Sequence, residues 1–298
     1  TGIRPYMRRR SILLHYLSIK GHTSLEIVAR SINESKLVDG SNVVVVGPVD
    51  PIRKEMEKAG SEGIRIIKQG GSLGDNVLLG RNALIEGGFD GRYILILGGD
   101  MPLLDSGQID GFINACRDRG GDPDMFYGMS SRSALAPLID ELKVGHLGRL
   151  GPNRPTRGNL KKFGIQFIDD IGLFGPAGER VALMNSNLFL YKSSSFDPRL
   201  INRLYSMRKM FANPFVYHRL IKDFGPALVR TLMWKLPLSE GEAVFSRTVG
   251  VRLNVVPTHP LLALDLDSYT DLRRASAILF GAGGGKRDLE VDLRKYVK

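Results

Sequence analysis

Much of what this chain does not contain is informative. Cys116 is the one cysteine in 298 residues, which excludes an internal disulfide and any thiolate metal cluster. It falls on the inward face of a helical stripe and reads as a small buried hydrophobe. A reducing, cytoplasmic compartment is the expectation that follows. No apolar run approaches the length of a membrane span, and the first thirty residues lack the apolar core of a secretory signal. The histidines at 15, 22, 146, 218 and 259 stand apart from Cys and Glu clusters, zinc-ligand spacing is absent, and they read as ordinary polar residues. GAGGGK at 281–286 is too short for a phosphate-binding loop, and no Ser or Thr follows Lys286.

Negative charge is also in short supply. Lys and Arg number 42 against 31 Asp and Glu, for a net charge of +11. Nucleotides, phosphorylated sugars, nucleic acid and acidic membranes are the anionic partners such a surface attracts. The basic residues are scattered apart from RPYMRRR at 4–10, with no alternating aromatic strand to read bases. Small phosphorylated substrates are therefore expected, with neither nucleic acid nor membrane as partner. The competing reading is a basic solvated surface. The oligomeric state is not legible.

What is present, in the first half, is alternation of strand and helix. Leu25, Val28, Ala29 and Ile32 mark a helix; SNVVVVGP at 41–48 is a strand stopped by Gly and Pro. A polar helix over roughly 51–59, a strand at 63–69 and a helix over about 75–86 follow, then a strand at 93–97. Ile109, Phe112, Ile113 and Cys116 share one helical face, and MFYGM at 125–129 is another strand. Such alternation predicts a parallel sheet with helices on both faces. Regularity fails after about 131. Residues 145–161 are rich in Gly, Pro and Arg and read as a loop; strand pieces return at 163–169 and 187–191. A helical, basic stretch over about 198–236, a strand at 252–257 and a helix over about 269–280 complete the pattern, with a flexible tail at 281–298. The whole reads as one domain over 1–280 with a helical insertion at about 198–247.

Three motifs carry chemistry. YILILGGDMPLL at 93–104 reads as a buried parallel strand that releases the chain through Gly98 and Gly99 and leaves Asp100 at the carboxyl edge of a sheet. Ligands bind along that edge in open α/β sheets. A carboxylate there, beside glycines that admit a phosphate, suits a magnesium–nucleotide site. The bland alternative is an aspartate capping the next helix. QGGSLGDNVLLGRNAL at 69–84 is a glycine turn in which Ser72 or Asp75 caps a helix, presenting N–H groups to an anion or a base, with Asn76 as a two-way hydrogen-bonding group. ALDLDSYTDLRRA at 263–275 sets Asp265 and Asp267 between a strand and a helix; alternation about Leu266 lets one of them face the ligand of Asp100.

These three motifs, with LSIKGHTSLEIVARSI at 17–32, resemble the nucleotidyltransferases of GT-A fold. That superfamily includes the molybdenum-cofactor guanylyl- and cytidylyltransferases and the sugar-phosphate nucleotidyltransferases. The resemblance spans roughly 17–130 and 250–280. It implies a three-layer α/β/α fold with a mostly parallel sheet, of nucleotide-diphospho-sugar transferase type, and a helical insertion before the last strand. It implies that Asp100 and Asp267 are the catalytic pair and hold Mg²⁺ against an NTP, with Gly71, Ser72, Asp75, Asn76 and Gly99 around the nucleotide. Arg157, Asn159, Arg208 and Lys209 are candidates for gripping a phosphorylated acceptor, against a reading as solvated charge. The family opens with a strand and a Leu-Ala-Gly-Gly-x-x-x-x-Arg loop, whereas this chain opens on Thr1-Gly2-Ile3-Arg4; a processed or truncated product is the expectation. The rival readings are a glycosyltransferase using Asp265-Leu266-Asp267 as an Asp-x-Asp motif, and a nucleotide-binding module without catalysis.

Overall fold

The computed structural model describes residues 18–19, 22–135, 165–199, 201–202, 225, 230, 235–264 and 275. A two-stranded hairpin, β1 (Ser18–Ile19) and β2 (His22–Thr23), leads into helix α1 (Ser24–Glu34), capped by the Thr23 hydroxyl on the Glu26 amide. Strand β3 (Val44–Gly47), helix α2 (Val49–Lys58) and parallel strand β4 (Arg65–Lys68) form a small unit, closed by helix α3 (Leu73–Glu86). Then come β5 (Tyr93–Leu97), α4 (Ser106–Arg119), β6 (Met125–Ser131), β7 (Ile165–Asp169), β8 (Glu179–Lys192), α5 (Leu238–Val249) and β9 (Leu253–Pro257).

Strands β5 to β9 form one five-stranded sheet in which β8 runs antiparallel to β5, β6 and β7, while β9 is parallel to β6. Four of the five strands therefore point one way. Leu183 pairs with both Ser131 and Ile165, so β7 and β6 lie on opposite edges of β8.

Alternation along the strands divides the core in two. Met125, Leu183, Tyr191, Leu253 and Val255 face one side, with Leu238 and Val249 of α5. Phe126, Leu188 and Val256 face the other, with Val28 and Ile32 of α1 and Ile109, Phe112 and Cys116 of α4. Three layers result. Each fully buried Leu or Phe contributes about 1.5–3 kcal/mol of burial free energy. Helix α1 also packs Ala29 against Ile52 and Met56 of α2, so it spans both sheets. Its first turn fixes where their carboxyl ends lie: Leu25 reaches towards Gly99, and the Thr23 hydroxyl donates to Glu55 of α2 at 2.6 Å.

The sequence reading needs correction at two strands. The YILIL strand is half-buried rather than buried, and its described neighbour is the antiparallel β8. Among the described residues it pairs on one side alone, as does β3. The piece at 187–191 is the second half of a 14-residue strand beginning at Glu179. Most of the 198–236 stretch, the 269–280 helix apart from Ala275, and the 281–298 tail lie outside the described residues.

Candidate functional site

The turn after β5 holds Asp100 in a defined place. A Cβ on Gly98 would lie 2.3 Å from Asp100 Oδ1, so the carboxylate folds back over the bare Cα of that glycine. A Cβ on Gly99 would lie 3.3 Å from Leu25 Cδ1. Met101, Leu103 and Leu104 behind the turn are buried, and Ser31 of α1 donates to the Leu104 carbonyl at 2.9 Å. The backbone around Asp100 is thus anchored on both sides. Asp100 does not cap α4. That position belongs to Asp105, which accepts from Gln108 N at 2.8 Å while the Gln108 side chain accepts from Asp105 N, a reciprocal capping box. The helix-capping alternative for Asp100 therefore falls. No hydrogen bond or ion pair engages its carboxylate among the described residues.

The carboxylates at the opposite edge of the sheet behave otherwise. Asp122 receives Lys192 at 2.8 Å, Tyr93 at 3.1 Å and Arg92 at 2.6 Å. Lys192 first, then the Tyr93 hydroxyl and Arg92, holds its carboxyl down at about 2. Asp124 accepts from the Ser195 hydroxyl and the Arg252 amide. Those two carboxylates are consumed in tying strand ends together, whereas that of Asp100 has no such bond among the described residues.

The glycine turn after β4 forms as expected, with its internal bonds now explicit. Ser72 caps α3, its hydroxyl accepting from Asp75 N at 3.1 Å. Asn76 Oδ1 accepts from Gly70 N at 2.7 Å, and Asn202 takes the Gly74 amide at 2.9 Å. Gly71 has the Asp75 carboxylate 3.5 Å from where its Cβ would be. The turn therefore brings Gly71, Ser72, Asp75 and Asn76 together, but the Gly74 and Asp75 amides are already used. The resource left for a ligand is the open backbone at Gly71 and the Asp75 carboxylate.

Sequence reasoning missed one part of this edge. Tyr127 pairs with Phe189 and Met129 with Asn185, so Gly128 faces three residues of β8 and Ser186–Leu188 bulge. Asn187 at the bulge has φ 55°, the one non-glycine residue with positive φ among those described. An Asx turn supports it: Asn187 N donates to Asn185 Oδ1 at 3.0 Å, and Asn185 Nδ2 to Asn187 Oδ1 at 2.7 Å. Leu188 pairs with Leu97, the last residue of β5, so the bulge lies beside Gly98. The signal was present as Asn-Ser-Asn set inside an apolar run, at odds with a strand interior.

Asp267, with Asp265 and Leu266, lies outside the described residues, as do Arg157, Asn159, Arg208 and Lys209. Strand β9 leads through Thr258 and a tight helical turn, Pro260–Ala263, to Leu264, which packs against Met184 and Leu135. Among the described residues no three His, Cys, Asp or Glu side chains gather as a metal cage, and no helix is long and apolar enough to cross a membrane. Cys116 is buried, and burial pushes its thiol up to about 12.

The sequence matches no protein-family model and no curated protein. The fold has counterparts among solved structures. A hypothetical transferase from Thermus thermophilus superposes with a TM-score of 0.54 at 18% identity, over 84% of this chain and 85% of that one. This likeness shows the fold. Two looser superpositions are CMP:2-keto-3-deoxy-manno-octonic acid synthetase complexed with CTP (TM-score 0.48, 13% identity, 89% and 91% covered) and a 4-diphosphocytidyl-2C-methyl-D-erythritol synthase from Anaerococcus prevotii (0.45, 14%, 88% and 88%).

Proposed function

We propose that this chain is a nucleotidyltransferase that moves NMP from an NTP to a small phosphorylated acceptor and releases pyrophosphate. One observation carries the reading. A carboxylate with no described partner, Asp100, is held over a Gly-Gly turn at the carboxyl edge of the sheet, where anionic ligands bind in this class of fold.

An open carboxylate such as that of Asp100 suits Mg²⁺. That ion takes hard oxygen ligands and commonly uses one or two carboxylates, completing its shell with phosphate oxygens and water. Asp100, with Asp267 as the second donor, would hold it. When bound, Mg²⁺ neutralises charge on the α-phosphate and the departing pyrophosphate. The chain's own groups do the rest. Gly71, Ser72, Asp75, Asn76 and Gly99 border the nucleotide. Arg157, Asn159, Arg208 and Lys209 grip the acceptor's phosphate, which a guanidinium matches with two parallel N–H bonds. An oxygen of that phosphate, already anionic at neutral pH, attacks the α-phosphorus while the bond to the β-phosphate oxygen breaks. No protein base is required. A cytoplasmic setting supplies both substrates.

Pyrophosphate release tests the reading. The chain is incubated with each NTP, Mg²⁺ and a set of sugar phosphates. Release that needs all three components supports the proposal. Turnover of a nucleotide-sugar without pyrophosphate would instead favour glycosyl transfer, and nucleotide binding without either product would favour a binding module.

A further inference from the structure

His259, just past β9, joins elements that lie far apart along the chain. Its carbonyl accepts from the Ser130 hydroxyl of β6 at 3.1 Å and from the Leu262 amide at 3.1 Å. Its ring is exposed, with Nδ1 lying 3.2 Å from Gln108 Nε2 of α4 and 3.4 Å from the Leu261 amide. Donor and acceptor chemistry fixes the roles. Gln108 Oε1 accepts from the Asp105 amide at 3.3 Å, so the group turned to His259 is the side-chain NH₂, which donates. The Leu261 N–H is a donor as well. His259 Nδ1 therefore accepts, and the ring proton sits on Nε2.

Both ends of this link belong to the surroundings of Asp100. Asp105 closes the turn that follows Asp100, and Gln108 is its partner in the capping box. Leu262 shares a buried cluster with Met101 and Leu104 of the same turn. From His259 the chain runs through Leu264 to Asp267, the second metal donor proposed above.

We propose that Gln108 and His259 are positioning residues that tie the Asp100 turn to the exit of β9, setting the spacing of the two carboxylates across the metal. Apolar packing of Leu262 on the turn is non-directional, whereas an amide–imidazole hydrogen bond has a preferred length and angle. Groups hydrogen-bonded behind metal ligands hold those ligands in register. The role in the reaction rests on the function proposed above; the link itself does not.

The test compares the parent with H259A, H259N, Q108L and D105A. Asn places its Oδ1 close to where Nδ1 stood, so H259N keeps the acceptor. D105A weakens the helix cap but leaves the backbone amide for Gln108, and so controls for lost stability alone. Two readouts need no activity. A two-bond proton–nitrogen spectrum of the parent in alkaline buffer is expected to show His259 as the Nε2–H tautomer. Hydrogen exchange at the Leu104 amide, bonded to the Met101 carbonyl inside the turn, should quicken about tenfold in H259A and Q108L, with the Val255 amide unchanged. The third readout is pyrophosphate release. The Mg²⁺ concentration for half-maximal rate is expected to rise about tenfold in H259A and Q108L, with KM for the NTP at saturating Mg²⁺ within about twofold. H259N and D105A should match the parent.

An Nδ1–H tautomer in the parent, or unchanged Leu104 exchange in both H259A and Q108L, overturns the link. An unmoved Mg²⁺ requirement in H259A, or one raised equally in D105A, overturns the positioning role. A parent that releases no pyrophosphate with any pairing overturns the function proposed above and the positioning role with it; the spectrum and the exchange then decide whether the link exists.

Discussion

Gly98→Ala is the sharpest perturbation of the site, because it displaces the Asp100 carboxylate while leaving that residue and the core unaltered. The new Cβ would lie 2.3 Å from Asp100 Oδ1, where ordinary contact begins at 3.4 Å. The carboxylate must therefore move by about 1 Å, and displacements of that size at a reacting centre cost about 10²-fold in rate. That corresponds to about 2.7 kcal/mol of transition-state stabilisation. Backbone strain does not confuse the result, since Gly98 is not among the glycines with positive φ. The assay is steady-state pyrophosphate release beside a thermal melt. A rate loss near a hundredfold with a melting temperature close to the parent's supports the placement of Asp100. Gly99→Ala is the matched comparison: its Cβ meets Leu25 at 3.3 Å, so it disturbs helix packing rather than the carboxylate. Unchanged turnover in G98A would refute the reasoning.

Other expectations follow from the same geometry. Asp105→Ala should lower stability by about 1 kcal/mol through loss of the α4 capping box, with turnover nearly intact, as denaturant unfolding and the pyrophosphate assay would show. Leu188→Ala empties a fully buried position under the bulge and should cost about 2–5 kcal/mol in the same unfolding experiment. The Asp122 carboxyl is held below its ordinary 3.8, at about 2, chiefly by Lys192. Its contribution is therefore present above pH 3.8 and lost as pH falls through about 2. The stability deficit of Asp122→Asn should accordingly shrink across that window. Cys116 should resist thiol reagents in the native state and react on unfolding, because burial suppresses its thiolate.

Where local pattern and tertiary environment agree, the fold was legible. The stripe at Leu25, Val28, Ala29 and Ile32 became α1, and that at Ile109, Phe112 and Cys116 became α4, because one-sided apolar periodicity is itself the cause of burial. Strand β8 was half-read, because its middle is polar. The hydroxyl of Ser186 is satisfied by residues 56 and 72 positions away, a circumstance no local window contains. Its antiparallel course inside a sheet whose other strands run the opposite way is likewise a matter of long-range pairing. At the site, Asp100 was identified from glycines that give a carboxylate room. The helix-capping role weighed for Asp100 belongs to Asp105, five residues on, a residue the sequence reading did not single out. Ser72 was read as one of two possible caps, and the structure selects it over Asp75.

The central claim is that Asp100 binds a divalent cation shared with a nucleoside triphosphate. Titrating the chain with the preferred NTP, with and without Mg²⁺, and repeating the titration with Asp100→Asn, addresses it directly. The account predicts that Mg²⁺ tightens binding to the parent by tenfold or more (about 1.4 kcal/mol) and that the variant, still folded by its thermal melt, loses this dependence. Equal Mg²⁺ dependence in parent and variant would contradict it.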